Sequence, residues 1–428
     1  MRIKTFVVLT LLLKTNSADI LTCGGSLGFS IPTMCRVSGG SVADDESLQI
    51  SNANANITTL TFSNTNFTSI PKNIFVSFPK IKIFYVTNNN LNRLSSSSFQ
   101  DSNQLTKLFF STNDISTIPD QAFSLCTALT QLSIYDNPIT TFTGNPFGGL
   151  NKLQQLTLED LQIETFDSSV LQDLPALQIL EMKNCSLTSI DADFLSSNVN
   201  ITDINLNDND IVTIEAGAFS NLVALNNLDV SYNMLTSLNT AYARTIIADN
   251  NKMKSLFIGS NAVSINAEFN LINNVSCDAT SSVKFLYLTG NRISRIGFLT
   301  KMKSAVLVYL DSNRIRKFNK AVFANLKNVN KIELNDNPGM KLGSKMLASM
   351  TNVGTIRVDK FINGYKNLTQ MFPNLKMLYL TTRNWSCTQL KSVANVLNEQ
   401  KIYLYFNNAT LDKANFKCQL NTWEVSKF

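Results

Sequence analysis

Histidine is absent from all 428 residues of the sequence. Because histidine is the commonest general base near neutral pH and a frequent metal ligand, its absence argues against most hydrolytic and metal-dependent enzymes. No GxSxG elbow, glycine-rich phosphate loop or Cys-x-x-Cys pair is present either. The segment Asp203-x-Asn205-x-Asn207 matches a calcium loop only in part, because Asp208 replaces the turn glycine and Ile214 the bidentate glutamate. We therefore expect no enzymatic activity, no cofactor and no metal.

Glycine, proline and charged residues are scarce, at 16 glycines, nine prolines and 16% charged residues against 44% hydrophobic residues. The few glycines and prolines are spread along the chain, so no linker or low-complexity stretch separates domains. The hydrophobic content is ample for a large core. We therefore expect one uninterrupted folded region rather than several globular domains.

Long hydrophobic runs are missing as well. The apolar run at residues 6–13 is too short to span a bilayer, and no later segment reaches ~18 uninterrupted apolar residues. It follows a short basic head and precedes small residues, which is the pattern of an export signal over residues 1–17. The polar tail at 421–428 resembles no lipid-anchor signal. We expect a secreted, extracellular protein that begins near Ala18 and has no membrane span.

A repeated phrase, LxxLxLxxNxL, fills most of the chain. A fixed period in the twenties is typical of a leucine-rich-repeat solenoid, in which one strand-plus-connector unit cannot bury its apolar face alone and must stack on its neighbours. The spacing is 24 residues in the first half and 18 to 22 residues between 225 and 305. By their first apolar residue, the copies begin at Ile57, Ile81, Leu105, Leu129, Leu153, Leu177, Ile201, Leu225, Ala243, Ala262, Val283, Ala305, Val329, Val353 and Leu375.

The repeat predicts the fold class: a horseshoe-shaped leucine-rich-repeat solenoid with a parallel β-sheet on its concave face, irregular or 3-10 connectors on its convex face, and capped ends. We divide the chain into a signal peptide (1–17), an N-terminal cap (18–56), about 15 repeats (57–386) and a C-terminal cap (387–428). Apolar residues at helical spacing predict a helix over residues 386–398. The shortened repeats over 243–305 predict altered curvature there.

The ninth position of the phrase is usually asparagine, whose amide can satisfy the backbone groups of neighbouring buried turns. Cys185 occupies the same column as an accepted substitute, whereas Thr65, Leu161, Phe361 and Arg383 interrupt it. The column, which we call the ladder, contains Asn89, Asn113, Asn137, Asn209, Asn233, Asn251, Asn270, Asn291, Asn313 and Asn337.

Seven cysteines are an odd number for an oxidising compartment. From their positions at the two ends, we predict two disulfides that seal the exposed core, Cys23–Cys35 and Cys387–Cys418. Three cysteines remain. Two of these, in the ladder and in a connector, are expected to be buried free thiols, and for Cys277 an intermolecular disulfide and a free thiol stay open. The three are Cys126, Cys185 and Cys277.

Eight Asn-x-Ser/Thr sequons suit an extracellular glycoprotein. A glycan on Asn184, beside the ladder residue Cys185, would obstruct binding at the inner face. The sequons are at Asn56, Asn66, Asn184, Asn200, Asn274, Asn367, Asn384 and Asn408.

The residues that alternate with the core positions form the inner face of the predicted sheet. Exposed aromatic residues on rigid strands are low-entropy binding anchors, although a solvated polar face with scattered aromatics is the alternative. Acids converge in the middle with only Lys183 and Arg244 among them, which costs self-repulsion without an evident structural gain. The candidate binding residues are Tyr85, Phe109, Tyr135, Glu159, Asp160, Glu181, Asp203, Asp208, Asp229, Asp249, Tyr287 and Tyr309.

Charge is divided unevenly along the chain. Residues 18–290 contain 12 Lys/Arg and 24 Asp/Glu, whereas residues 291–428 contain 22 and 7. Several cations lie on one flank just after the ladder, where stacking would align them into a patch that attracts acidic proteins or anionic surface glycans. A plain solvated flank is the alternative. The flank residues are Arg292, Arg295, Arg314, Arg316 and Lys317.

Two kinds of segment carry a resemblance to known families. The Phe-to-Leu spacing after repeat cores, as from Phe123 to Leu129, resembles the large extracellular class of leucine-rich proteins. The Val275-Ser276-Cys277 segment and the cap Asn384-Trp385-Ser386-Cys387-x-x-Leu390 look like those of the insect leucine-rich immune proteins, best known in mosquitoes. The resemblance implies a secreted haemolymph protein of innate immunity.

Long members of that family pair through disulfides and a C-terminal coiled coil and engage complement-like thioester proteins. This chain departs from them, because ten residues follow Cys418 and Lys301–Ser304 lacks a second cysteine to pair with Cys277. The resemblance therefore implies a short member without a coiled coil, with a complement-like partner and a disulfide-linked dimer as further expectations.

Two non-enzymatic functions follow. The first is a recognition protein that binds protein partners or microbial surfaces in innate immunity, and the second is an extracellular matrix or cell-surface adhesion module. Induction by microbial challenge would distinguish them. Neither involves nucleic acid.

Overall fold

The structure, a computed structural model, describes residues 9–12, 20–23, 33–38, 56–71, 73–163, 166–278, 281–316, 318–381 and 387–406. The chain forms two compact units, Met1–Leu225 and Asn226–Phe428. Each unit is built on a parallel β-sheet with one strand per repeat. The strands of the first unit, inside and outside this sheet, are β1 (Leu9–Leu12), β2 (Ile20–Cys23), β3 (Met34–Ser38), β4 (Thr59–Ser63), β5 (Ile83–Thr87), β6 (Lys107–Ser111), β7 (Thr117–Ile118), β8 (Gln131–Tyr135), β9 (Thr141–Phe142), β10 (Gln155–Glu159), β11 (Ile179–Glu181), β12 (Ser189–Ile190), β13 (Asp203–Asn205) and β14 (Thr213–Ile214).

The sheet of the first unit has the order β3-β4-β5-β6-β8-β10-β11-β13, with every neighbouring pair parallel. Two smaller parallel pairs, β7 with β9 and β12 with β14, lie in the connectors. β1 and β2 pair antiparallel. The helical pieces of this unit are short, namely α1 (Ile74–Ser77) and 3-10 helices at Ser96–Phe99 and Ser168–Leu171.

The second unit repeats the plan. Its strands are β15 (Asn227–Asp229), β16 (Thr245–Ile247), β17 (Ser255–Ile258), β18 (Ser264–Asn266), β19 (Asn274–Cys277), β20 (Phe285–Tyr287), β21 (Leu307–Tyr309), β22 (Lys331–Glu333), β23 (Thr355–Val358), β24 (Met377–Leu380) and β25 (Tyr403–Phe406). Its helices are α2 (Leu368–Met371), α3 (Cys387–Glu399) and 3-10 helices at Gly297–Lys301, Lys320–Phe323 and Ser344–Leu347.

The main sheet of the second unit has the parallel order β15-β16-β18-β20-β21-β22-β23-β24-β25. The remaining pair, β17 with β19, is also parallel and lies in the connectors of the shortened repeats. In these two repeats, of 19 and 21 residues, an extended segment takes the place of a helical turn, because fewer residues leave less chain for the return. The predicted change in curvature over 243–305 stays a prediction.

The sequence register is confirmed throughout. Each of the copies found in the sequence has a sheet strand that begins two residues after its first apolar residue, as β4 begins at Thr59 after Ile57. Two sheet strands were not predicted, because β3 and β25 come from the segments assigned to the caps and contain no copy of the phrase. The predicted helix at 386–398 is confirmed as α3, with Leu390 and Leu397 buried.

Phenylalanines continue the core beneath the strands. The ring of Phe123 is fully buried, with its centroid 5.4 Å from that of Phe99 and 6.3 Å from that of Phe147 in the neighbouring repeats. Burying each such side chain contributes about 1.5–3 kcal/mol. Because each of these repeats supplies a ring to the stack, each is stabilised by its neighbours.

The ladder is confirmed as a buried hydrogen-bond column. Asn209 is 7% exposed; its Oδ1 accepts from the backbone N–H of Cys185 (2.9 Å) and of Leu187 (3.0 Å). Its Nδ2 donates to the carbonyls of Met182 (2.8 Å), Leu206 (3.0 Å) and Asn207 (3.1 Å). The amide thus satisfies turns of two successive repeats that would otherwise bury unpaired polar groups.

Cys185 fills the ladder as predicted. It is fully buried, and its thiol donates to the carbonyls of Leu158 (3.0 Å) and Lys183 (3.4 Å). It replaces the donating half of the asparagine amide. Burial raises the pKa of its thiol, and a backbone hydrogen bond from Leu161 offsets part of that rise. This explains why cysteine is tolerated in the column.

The residue before each ladder position has a left-handed backbone conformation. Most of these residues are Asn, Asp, Gly, Ser or Thr, which tolerate a positive φ better than bulky side chains do. Tyr232 and Phe269 are the two aromatic exceptions in this column, both at φ 52° and both 56% exposed. Packing therefore does not account for the bulky side chain at either position.

Candidate binding surfaces

In the first unit, two of the predicted aromatic anchors stack on one another. The rings of Tyr85 and Phe109 lie 4.6 Å apart at an interplanar angle of 10°, and both side chains are half-buried. Tyr135, two strands along from Tyr85, is 41% exposed, and its hydrogen bond to Asp160 raises the pKa of the Tyr135 hydroxyl. The sheet face here offers a small, rigid aromatic platform.

The acids of the first unit are tied to polar neighbours. Glu181 Oε2 accepts from Thr157 Oγ1 (2.6 Å) and from Gln155 Nε2 (3.2 Å). Burial, followed by the charge of Glu181, raises the pKa of the Glu159 carboxyl. The carboxylates therefore form a half-buried negative patch, which the nearby cation Lys183 offsets in part.

The acids of the second unit have structural partners too. Asp229 Oδ1 accepts from the backbone N–H (2.9 Å) and the hydroxyl (2.6 Å) of Ser231. Asp249 accepts from Asn250 Nδ2 (2.7 Å) and Asn266 Nδ2 (3.1 Å). The expectation that the acids gain nothing structurally is therefore wrong: they cap turns and link neighbouring strands, which offsets part of their repulsion.

Two further acids of the second unit were missed by the sequence reasoning. Asp311 is 9% exposed and accepts from Thr289 Oγ1 (2.8 Å); burial and then the charge of Glu333 raise the pKa of its carboxyl. Burial, followed by the charges of Asp311 and Asp249, likewise raises the pKa of Glu268. Counting the same register position in every copy would have identified both.

A mixed aromatic and charged group occupies the sheet face on β20 to β23. We call it the face cluster; it consists of Tyr287, Tyr309, Lys331, Glu333 and Arg357. The rings of the two tyrosines meet edge to face at 5.0 Å, and the lysine Nζ lies 4.7 Å from the centre of the Tyr309 ring. Sequence reasoning identified the tyrosines alone.

Glu333 holds the charges of the face cluster together. Its side chain is 7% exposed and forms ion pairs with Lys331 (2.8 Å) and Arg357 (3.2 Å), each of which is 31% exposed. Lys331 also donates to the Tyr309 hydroxyl at 2.8 Å. Burial alone would lower the pKa of Lys331, but the Glu333 carboxylate and the Tyr309 hydroxyl outweigh it and raise that pKa. The cluster is thus fixed before any partner binds.

A second stacked aromatic pair follows on the last two strands. The rings of Tyr379 and Tyr405 are 4.7 Å apart at 16°. Tyr405 lies on β25, which no copy of the repeat predicted. Together with the face cluster, this pair gives the sheet face of the second unit two pairs of tyrosines, separated by β22 and β23.

The basic flank is exposed. Arg292, Arg295, Arg314 and Arg316 are all exposed, and none of them forms an ion pair or side-chain hydrogen bond within the part of the chain that the structure describes. Lys317 lies outside the described residues. Two of the arginines, Arg314 and Arg316, line an open groove of about 520 Å³.

The structure describes the side chains of four cysteines and six sequon asparagines. Cys126, Cys185 and Cys277 are free and buried, and Cys35 is disulfide-bonded. The side chains of Cys23, Cys387 and Cys418 lie outside the described residues, so both predicted pairings stay predictions. Asn384 and Asn408 also lie outside, whereas the other six sequon asparagines are exposed: Asn56, Asn66, Asn184, Asn200, Asn274 and Asn367.

Within the described ranges, no group of three or more Cys, Asp or Glu side chains is arranged to hold a metal ion. No helix in the same ranges is both long and apolar enough to cross a membrane.

The family model that matches the chain is the BspA type leucine-rich repeat region, over residues 51–178 and 116–248. The matched part is less than half of the chain. No curated protein matches the full sequence.

Solved structures resemble the chain over most of its length. A leucine-rich-repeat protein of Leptospira interrogans has a TM-score of 0.63 and 17% identity, covering 82% of this chain and 90% of its own. The TLR13–ssRNA13 complex has a TM-score of 0.62 and 18% identity, covering 81% of this chain. The LRIM1/APL1C complex has a TM-score of 0.53 and 16% identity, covering 86% of this chain and 65% of its own.

This chain spans only about half (54%) of the length of the TLR13 match. At such identities the likeness concerns the fold alone. The fold is a leucine-rich-repeat solenoid, as predicted, and the chain is a leucine-rich-repeat protein.

Proposed function

We propose that this protein is a secreted, non-enzymatic recognition protein that binds a protein partner through the sheet face of its second unit. The face cluster carries the proposal. It presents two tyrosines and two cations around one buried carboxylate, all held by direct contacts.

Such a group suits a binding hot spot for two reasons. Tyrosine and arginine are enriched among the residues that dominate protein–protein affinity. In addition, the ion pairs and the Lys331–Tyr309 hydrogen bond already fix the side chains, so less rotamer entropy is lost on association. The nearby Tyr379–Tyr405 stack extends the aromatic surface.

The acids of this face would select a basic partner. Asp229, Asp249 and Glu268 lie on the strands and turns that precede the face cluster, and Asp311 lies just after Tyr309 of that cluster. Complementary charge mainly raises association rates and suppresses wrong partners, whereas the tyrosines would slow dissociation. A partner with a basic surface around an apolar centre fits this arrangement best.

We further propose that the setting is extracellular innate immunity. The export-signal pattern at residues 1–17, the sequons and the Val275-Ser276-Cys277 segment support this role. The LRIM1/APL1C complex, which shares the fold, is itself a complex. Because the sequence resembles the insect leucine-rich immune proteins, a complement-like protein is the first partner to test.

The test is capture of a partner from the body fluid of the source, followed by kinetic measurement on purified variants. Tyr309→Ala should speed dissociation about tenfold or more, the size expected for a hot-spot loss above ~1.4 kcal/mol. Asp229→Asn with Asp249→Asn, which keep acceptor oxygens, should slow association and flatten its salt dependence. Tyr85→Ala, a matched change on the sheet face of the first unit, is the control.

If Tyr309→Ala and the double acid variant both bind as the native protein does, the sheet face of the second unit is not the site. The immune setting is tested separately, by measuring whether microbial challenge induces the protein. Absence of induction together with binding to a cell-surface receptor would favour the adhesion role.

A further inference from the structure

The groove beside the ladder in the second unit has a lining unlike that of the sheet face. It is formed by the ladder residue Asn291, by Ser312 and Asp336 from the turns before the ladder, and by Arg314, Arg316 and Pro338 after it. The arginines are exposed and have no side-chain partner among the described residues. Their positive charge is therefore available to a ligand.

The arginines follow the register of the sheet. Arg292 and Arg314 each come directly after a ladder asparagine, and their backbone N–H groups donate to Ile272 and Ile293 (both 2.9 Å), which ties successive repeats together. Neighbouring strands are ~4.8 Å apart, so the two arginines are spaced at about one strand interval along the ladder edge. A row of cations at a fixed interval suits an extended anionic chain.

The turn before the ladder contributes an exposed aromatic ring one repeat earlier than Arg292. Phe269 is 56% exposed at φ 52°, a conformation that bulky residues seldom adopt, so its placement is strained without being repaid by burial. The ring lies against Gly290, where an added Cβ would be 2.7 Å from Phe269 Cδ1. Strain held at an exposed position is a frequent mark of a binding site.

From this geometry we propose that the ladder edge from Phe269 to Arg316 binds an anionic polysaccharide, a chain of sugar rings that carry carboxylate or sulfate groups. Phe269 stacks on the face of one ring, and Arg314 and Arg316 hold an anionic group in the groove. The site is separate from the face cluster and does not depend on it.

The lining favours a polysaccharide over a nucleic acid. Asp336 places a carboxylate in the same groove as the arginines. A carboxylate accepts hydrogen bonds from hydroxyl groups, of which a sugar ring offers several and an RNA nucleotide only its 2′-OH. The same carboxylate and the hydroxyl of Ser312 can therefore exchange hydrogen bonds with sugar hydroxyls. A folded acidic protein fits less well, because a stable protein interface uses about 20–30 residues on each side. The groove is lined by seven residues.

The experiment measures binding of the full chain to heparin (sulfated), polygalacturonate (carboxylated), dextran (neutral) and a single-stranded RNA. We expect the native protein to bind at least one of the two anionic polysaccharides more tightly than RNA, and not to bind dextran. Whether sulfate or carboxylate is preferred identifies the anionic group. Tighter binding of RNA, or no binding of either anionic polysaccharide, would overturn the proposal.

Three variants locate the site. Arg314→Gln with Arg316→Gln should weaken polysaccharide binding about tenfold or more, whereas the control Lys107→Gln with Lys152→Gln removes the same charge from exposed lysines of the first unit and should leave most of the affinity. Phe269→Asn should weaken binding while the melting temperature stays the same or rises, because asparagine tolerates a positive φ. Equal losses in the two double variants would mean nonspecific attraction and would also overturn the proposal.

Tyr309→Ala distinguishes this site from the proposed protein-binding surface. It should bind the polysaccharide as the native protein does, even where it no longer retains the protein partner.

Discussion

The ladder makes a quantitative prediction at Asn209. Replacing it with alanine removes two N–H donors and one carbonyl acceptor that together form five contacts with buried backbone groups. At about 1 kcal/mol net for each of the three amide groups, the direct loss is about 3 kcal/mol. The orphaned N–H groups of Cys185 and Leu187 add about 1–3 kcal/mol. We expect Asn209→Ala to lower the free energy of unfolding by about 4–6 kcal/mol.

Two further substitutions vary the donor and the acceptor at this position. Asn209→Cys copies the arrangement at Cys185, where a thiol stands in for the amide, and should cost about 2–3 kcal/mol because a thiol is a weaker donor and acceptor than an amide. Asn209→Asp keeps the acceptor but turns a carboxylate toward three carbonyls, so near neutral pH it should be the least stable of the three. Acidification should restore part of the stability of the aspartate variant, because protonation removes the buried charge.

Urea unfolding followed by circular dichroism measures these differences, with Asn221→Ala as the control. Asn221 is exposed and donates one long hydrogen bond, 3.5 Å, to the carbonyl of Ser196. Its loss should cost about 0.5 kcal/mol or less. If Asn209→Ala is no more destabilising than Asn221→Ala, the ladder does not stabilise the solenoid in the way argued.

Three other predictions follow from the second unit and the N-terminal segment. Burial raises the folded-state pKa of Asp311, so the ionised carboxylate costs stability above that pKa, and the cost disappears as the pH falls below the pKa of the unfolded state. Asp311→Asn should therefore be more stable than the native protein at about pH 7. In thermal unfolding, the difference should shrink toward about pH 4. Gly290→Ala should lower stability by about 1–2 kcal/mol, because φ is +71° and the new methyl group displaces the Phe269 ring; an unchanged melting temperature would contradict this. Cys35→Ser should destabilise by about 2–5 kcal/mol, measured by urea unfolding against the native protein under non-reducing conditions.

Much of the fold could be predicted because the repeat fixes the register. Once the first apolar position of a copy is located, the strand, the buried residues and the ladder position follow from stacking alone, as at Leu105, Leu108 and Phe110, all fully buried. The strands β3 and β25 could not be predicted this way. They pair with the sheet through backbone hydrogen bonds, without the apolar spacing by which a repeat is recognised.

The candidate surfaces were predicted less completely. The tyrosines of the face cluster could be found as exposed aromatics, but the role of Glu333 depends on cations in its own strand and the next, Lys331 and Arg357, which a list of single residues does not bring together. The groove was missed for a similar reason. It requires the turn residue of one repeat and the flank residues of another, and Phe269 is conspicuous only when its positive φ is known.

The buried thiols have a practical consequence. Burial raises the pKa of the Cys126 and Cys185 thiols to about 12, so neither can react with an alkylating reagent until its repeat opens. Cys277 is also buried, and its backbone carbonyl accepts a hydrogen bond from Lys301 Nζ at 3.0 Å. The rate at which each of these three thiols is labelled therefore reports local opening around it, at two positions in the first unit and one in the second. Their labelling rates would show whether a solenoid of this kind opens from its ends or from its shortened repeats, without any engineered probe.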